Sequence, residues 1–272
     1  MFELRLFKKM RAVAIQFSKS VLKRLGIGIT SYSNLVNLQK LAWGRSTQDL
    51  KLLGALTPEC FEWIFPLLSE SSSQLGQDLF VLSETQCKKG GFFVEFGATD
   101  GVFLSNTFLL ETRFSWTGIL AEPARVWEKQ LRANRPSSSI ETLCVWKNSN
   151  SILTFNETDI PELSTIDDYG DQDGHRVSRL TGKKYEVHTI SLNDLLRKHR
   201  APKYIDYLSI DTEGSEYEIL QNFNFSEFSF GIITIEHNNT KQRDLIFDLL
   251  TSNGYRRKHE DISLIDDWYV KI

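Results

Sequence analysis

The stretch GGFFVEFGATDGVFLSNTFLLE, residues 90–111, sets two glycines before a five-residue apolar run, a glycine-bounded turn after it and a second apolar segment beyond. A run as short as Phe92–Phe96 predicts a strand buried on both faces, as in a parallel sheet. The turn Gly97-Ala98-Thr99-Asp100-Gly101 follows, and a residue without Cβ lets a backbone turn tightly and approach a ligand closely. Ser105 and Asn106 are both good N-caps for a helix that starts there. Strand, glycine turn and helix N-terminus together make the first unit of a nucleotide-binding α/β fold.

The turn departs from the dinucleotide fingerprint G-x-G-x-x-G. Its order is Glu95-x-Gly97-x-x-x-Gly101, with carboxylates at Glu95 and Asp100. Acids beside the turn oppose a pyrophosphate and suit a ligand with a cationic part, such as the sulfonium and ammonium of S-adenosylmethionine. The next predicted strand, Trp116–Ala121, ends in Glu122-Pro123, 25 residues beyond Gly97. An acid there is placed to take both hydroxyls of a ribose; taken alone it reads equally as a solvated strand end. Ile140–Trp146 predicts a third strand, followed by Asn148 where an adenine would be read. Residues 147–190 are polar, with Asp167, Asp168, Asp171 and Asp173 near two glycines, but lack the spacing of an EF-hand. They read as a mobile surface insertion that shapes an acceptor pocket.

Downstream, TISLNDLLRKH (189–199) predicts a helix capped by Ser191. YIDYLSIDTEGSEYEIL (204–220) predicts a strand to Ile210, a turn at Asp211–Gly214 and a helix from Ser215. FGIITIEHNN (230–239) is a β-branched strand ending in Glu236-His237-Asn238. A helix around Leu245–Leu250 and closing strands at Tyr255–Lys258 and Trp268–Ile272 complete the pattern. Strands alternating with helices imply right-handed crossovers and a mainly parallel sheet, whose ligands bind at the carboxyl ends of the strands. The glycine turn, Glu122, Asp211 and Glu236–Asn238 all fall at such ends. His237 has the pKa of a base near neutrality. Asp211 and Glu213 can assist it, or Asp211 and Glu236 can hold a divalent cation that lowers an acceptor's pKa. For Glu213, Glu216 and Glu218 a plainer reading is that acids in a helix's first turns offset its dipole.

The 272 residues are 41% hydrophobic, 12% aromatic and 25% charged, which excludes a disordered, collagen-like or multi-span membrane chain. Three distant cysteines, Cys60, Cys87 and Cys144, argue against a disulfide framework or a structural zinc and for a reducing, cytoplasmic setting. The net charge of −3 divides into +6 over residues 1–24 and −9 over the rest. Residues 1–24 show apolar positions at helical spacing and predict a basic amphipathic helix, suited to peripheral contact with an anionic membrane or to simple packing. No run approaches the ~20 apolar residues that span a bilayer, and the acidic body argues against nucleic acid as a partner. The division expected is a basic helix and helical cap over 1–70, then an α/β domain over 71–272, with SESSSQLGQ (69–77) as the boundary.

Five segments together resemble the FkbM-type S-adenosylmethionine-dependent methyltransferases: SQLGQDLFV (73–81), GFFVEFGATDGVFLSNT (91–107), GILAEP (118–123), DYLSIDTEGSEYEIL (206–220) and TIEHN (234–238). The resemblance implies a class I methyltransferase Rossmann-like fold, a seven-stranded mainly parallel sheet with helices on both faces, here with an N-terminal helical extension. It implies that Glu95, Gly97, Asp100 and Gly101 border the methionine part of the cofactor, with Ala98 between them and Ser105 and Asn106 at the helix start. Glu122, with Pro123 beside it, would hold the ribose, and Gln74, Gln77 and Asp78 would lie near cofactor or acceptor. The activity implied is O-methylation of a hydroxyl on a sugar of a glycan, lipopolysaccharide or glycosylated metabolite. The alternatives are a polyketide or lipid hydroxyl, a non-catalytic module of the same fold, and a nicotinamide oxidoreductase, which the missing third glycine disfavours. Trp116, Trp127 and Tyr169 are candidates to stack on a sugar. The resemblance does not reach residues 1–70, and leaves base, metal and oligomeric state open.

Overall fold

The structure, a computed structural model, describes residues 45, 47–169 and 179–272. The chain divides into compact units Met1–Thr47 and Gln48–Ile272; the fold below is that of the second. The basic head, Asp171 and Asp173 lie outside the described residues. The unit begins ahead of the boundary expected near residue 70, and for a physical reason. Leu52, Ile64 and Leu67, from the segment expected to be a separate cap, are buried in one core with Leu79, Trp116 and Trp268.

Seven strands form the main sheet, in the order β10-β11-β9-β8-β1-β2-β3. They are β1 (Phe92–Phe96), β2 (Thr117–Ala121), β3 (Ser139–Glu141), β8 (Tyr204–Ile210), β9 (Ser229–Glu236), β10 (Tyr255–Lys258) and β11 (Asp266–Lys271). β1, β2, β3, β8 and β9 pair in parallel, and β11 runs antiparallel to both its neighbours. Strand polarity and pleat explain the apolar runs. Val94, Ile119, Leu208 and Ile233 belong to one core, whereas Phe93, Leu120, Tyr207 and Ile232 belong to the core on the opposite face. Both faces are covered, as a parallel sheet requires. One side carries α5 (Leu192–Lys198), α6 (Glu216–Gln221) and α7 (Gln242–Ser252) through Leu195, Leu220 and Leu250. The other carries α2 (Gln77–Glu84) and α3 (Phe108–Phe114) through Phe80 and Leu110, with Phe80 stacked on Trp268 at 4.7 Å. The remaining helices are α1 (Pro58–Ile64), before α2, α4 (Glu128–Asn134), after β2, and α8 (Glu260–Ser263), after β10.

This is the seven-stranded, mainly parallel sheet with helices on both faces that the resemblance implies. Three expectations change in detail. The run Ile140–Trp146 is two strands in different sheets, β3 and β4 (Cys144–Trp146), because Glu141 Oε1 accepts from the amides of Thr142 and Leu143 and turns the chain. The polar segment beyond it is an ordered second sheet among the described residues, β4-β7-β5-β6, built with β5 (Ile152–Glu157), β6 (Thr165–Ile166) and β7 (Lys183–Ser191). Helix α3 starts at Phe108 with Thr107 as its N-cap and no side-chain cap bond, so neither Ser105 nor Asn106 is the cap; Ser105 Oγ instead accepts from the amides of Thr107 and Phe108 in the turn that leads into the helix.

Candidate functional site

Strand order reverses between β1 and β8, since β1 leads to β2 and β3 on one side and β8 lies on the other. Ligands of such sheets bind at this switch point. Gly97 ends β1 there with φ +70°, and a Cβ on it would stand 2.2 Å from the carbonyl oxygen of Asp211, which ends β8. The absent side chain is what lets the two strand ends close on each other.

A cleft opens over these ends, lined from both halves of the sheet and from the segment beyond β4. Of the residues expected to bind a cofactor, Glu95, Gly97, Asn106, Glu122 and Pro123 line it, and so do Gln74 and Gln77. Ala98, Asp100, Gly101 and Ser105 do not; they build the turn from behind. Asp100 Oδ1 accepts from the amides of Val102 and Phe103, and Gly101, at φ +80°, packs where a Cβ would meet Leu131 and Arg135. Asp78 is buried, accepting from Ser71 and Ser73 hydroxyls.

Glu95 is 2% exposed and accepts from Asn106 N (2.6 Å), Thr107 Oγ1 (2.5 Å) and Ser105 Oγ (3.1 Å), tying β1 to the start of α3. Burial raises its pKa despite Arg135 4.0 Å away and those three bonds. Glu122 accepts from the amides of Thr99 (2.9 Å) and Ala124 (2.8 Å), one on each side of the cleft floor. Burial pushes it up to about 7 against those two bonds.

At the other end of the cleft, Asp211, Glu213 and Glu236 each offer a carboxylate oxygen within 4.8 Å of the others. Asp211 is pushed up to about 7 by burial and then by the charges of Asp266 and Glu216, and Glu236 is raised by burial and by Asp211. Glu213, at φ +58°, takes a bond from Arg179 Nη2 at 2.8 Å. Glu216 caps its own helix, accepting from the amides of Thr212 (2.9 Å) and Gly214 (3.0 Å). Its position in the first turn of α6 matches the dipole-offset reading.

His237 does not reach the cleft lining. Its ring is buried, Nδ1 accepts from the Asn239 amide at 2.9 Å, and Nε2 faces Asp267 Oδ1 at 3.7 Å. Burial lowers its pKa. In this placement the imidazole shapes the turn that brings Asn238 to the cleft wall. Trp116, Trp127 and Tyr169 also stand away from the lining: Trp116 is sealed under Gly91, and Tyr169 meets Trp146 edge-on. Asn148 bonds Ser151 at the surface instead of entering the cleft, whose wall at that point is Cys144 and Val145. The Cys144 thiol, pushed to about 12 by burial, is a packing group as expected.

The second sheet supplies what motif reading missed. Phe155, Ile166 and the turn Pro161–Ser164 form the outer wall of the cleft. Arg179 ties this wall to the acids, donating to the Leu163 carbonyl at 2.9 Å as well as to Glu213, while Thr165 Oγ1 donates to the Thr212 or Glu213 carbonyl.

A model of the methyltransferase FkbM domain matches residues 95–257. A comparison with curated protein sequences returns no match. Among solved structures, the methyltransferase FkbM of Methylobacillus flagellatus KT is similar over 94% of this chain and 70% of its own, at 13% identity and TM-score 0.43. Fibrillarin of Aeropyrum pernix, with natively bound S-adenosyl-L-methionine, is similar over 73% of each chain at 13% identity and TM-score 0.38. Precorrin-6y C5,15-methyltransferase of Geobacter metallireducens covers 71% and 85% at 9% and 0.37. Likenesses this low carry no argument; the fold stands on its strand order. The family match takes in more than half of the 272 residues and opens on Glu95 itself, so the chain belongs to the FkbM methyltransferase family and is an S-adenosylmethionine-dependent methyltransferase.

Proposed function

We propose that the chain is an O-methyltransferase whose acceptor is a hydroxyl of a saccharide. The cofactor suits the cleft on the chemistry of the lining. Glu95, Glu122, Glu162, Asp211, Glu213 and Glu236 line it, and no lysine, arginine or histidine does among the described residues. When bound, S-adenosylmethionine supplies an electrophilic methyl on a cationic sulfur. Glu122, at the end of β2, is placed for the ribose, and Glu95 with Asn106 borders the methionine end. Those assignments leave Asp211, Glu213 and Glu236 for the acceptor.

The observation that carries the reading is this trio. A hydroxyl attacks well only as its proton leaves, and a carboxylate held near neutrality is matched to accept it. Asp211 takes that role, with Glu236 beside it in the cluster and Glu213 orienting the hydroxyl. With the cofactor bound, its methyl would go to the hydroxyl oxygen with the sulfur as leaving group, and the Asp211 carboxylate would accept the hydroxyl proton. A polar saccharide suits a cleft so rich in acceptors. Phe103 and Leu104, 56% and 39% exposed, also line the cleft and favour, as a second reading, a lipid or polyketide hydroxyl.

Incubation with methyl-labelled cofactor and glycan fractions, followed by mass spectrometry, tests the reading. A methyl ether on a sugar oxygen is the expected product. Label found only on lipid, polyketide or nitrogen refutes the saccharide assignment.

A further inference from the structure

At the acceptor end of the cleft Asp211, Glu213 and Glu236 offer carboxylate oxygens within 4.8 Å of one another, and Arg179 donates to Glu213 at 2.8 Å. Glu236 is 7% exposed, and its Oε2 is buried with no hydrogen-bond partner. A buried carboxylate oxygen with nothing to accept from is costly, more so beside another acid.

We propose that Asp211, Glu213 and Glu236 hold a hard divalent cation of the Mg²⁺, Mn²⁺ or Ca²⁺ class, against which the acceptor hydroxyl is set. The proposal deepens the methyl-transfer reading above and rests on it for the role of the ion. All three donors are carboxylate oxygens, the ligand type of those ions and not of zinc or copper. Oxygens on one such ion, bonded at about 2.0–2.6 Å, stand at most about 5 Å apart; this trio lies within 4.8 Å. Arg179 holds Glu213 from behind, as ligating carboxylates are commonly held. The ion offsets the negative charge gathered there, gives Glu236 Oε2 its missing partner and lowers the acidity barrier of a bound hydroxyl. Each carboxylate that ligates through one oxygen keeps its second, so Asp211 still accepts the hydroxyl proton.

Mn²⁺ titrated into the full chain, followed by the loss of its free-ion electron paramagnetic resonance signal, is the test, with calorimetry of S-adenosylmethionine run on the same samples. One Mn²⁺ bound per chain, displaced by Mg²⁺ and weakened at least tenfold by Asp211→Asn and by Glu236→Gln while cofactor affinity holds, is the expected result. A chain that binds cofactor but no Mn²⁺ at millimolar concentration overturns the cation site and leaves the methyltransferase reading intact. Mn²⁺ binding that survives both substitutions overturns it too, and a chain that binds neither ligand overturns both. Should a variant fail to fold, the wild-type arm decides alone, through the stoichiometry and through a rise in melting temperature with Mg²⁺.

Discussion

Gly97 is where the two halves of the sheet touch, and its φ of +70° is one that side chains with a Cβ adopt at a cost. Gly97→Ala adds that strain, on the order of 1–3 kcal/mol, and drives a methyl against the rigid Asp211 carbonyl instead of a yielding side chain. Lowered melting temperature together with a drop in turnover of tenfold or more is expected; a variant as active and stable as the wild type would show that the strand ends are not held by this contact. Glu122 makes a different prediction. Its ordinary value of 4.5 is raised to about 7, so across that window the folded chain keeps a proton the unfolded chain has released. The stability this gives is full below about pH 4.5 and is lost as pH rises through about 7, by about 1.4 kcal/mol for each pH unit. Urea unfolding at roughly pH 5 and roughly pH 8 checks it: the Glu122→Gln chain should lose clearly less stability between the two than the wild type, and an equal loss would place the titration elsewhere.

Among the elements, α4 reaches furthest beyond its own contacts. Its C-cap Arg135 is 1% exposed and donates to Glu111 Oε2 (2.7 Å), the Gly101 carbonyl (2.9 Å), Thr107 Oγ1 (3.0 Å) and Ser105 Oγ (3.2 Å). One guanidinium thus locks the glycine turn to the start of α3. Arg135→Met strips the buried Glu95 and the partly buried Glu111 of their cation, a loss of the 3–5 kcal/mol order, and should weaken cofactor binding along with stability; chemical denaturation and calorimetry read the two effects, and a change of under ~1 kcal/mol would refute the role. Nothing in the sequence around ANRPSS marks Arg135, because its partners come from segments more than twenty residues away. Strands β1, β2, β8 and β9 were legible for the opposite reason: buried on both faces, each is a contiguous apolar run. The β5 segment ILTFNE was not, since its first three positions are partly or fully exposed and polar residues interrupt it. From sequence the segment therefore reads as a mobile insertion that shapes a pocket, not as the strands that wall the cleft, and the acids of Asp211–Glu213 are legible while the Arg179 that organises them is not. His237 illustrates the limit of residue type: a strand-end histidine looked like a base, and only the fold shows that its ring turns toward Asp267.

For the whole molecule, the split of net charge into a basic head and an acidic body takes on a location. Part of the body's negative charge lines one cleft, as six carboxylates without a basic side chain among the described residues. No helix among the described residues is long and apolar enough to cross a membrane. An acidic cleft at the switch point of a class I methyltransferase sheet should select a cationic nucleoside over a pyrophosphate. Calorimetric titration of the full chain at neutral pH with S-adenosylmethionine, and in parallel with NAD, puts this to the most direct test. One S-adenosylmethionine bound per chain, at least tenfold more weakly after Glu122→Ala, and no heat with NAD is the expected result; absence of S-adenosylmethionine binding, or preference for NAD, would contradict the assignment of the cleft.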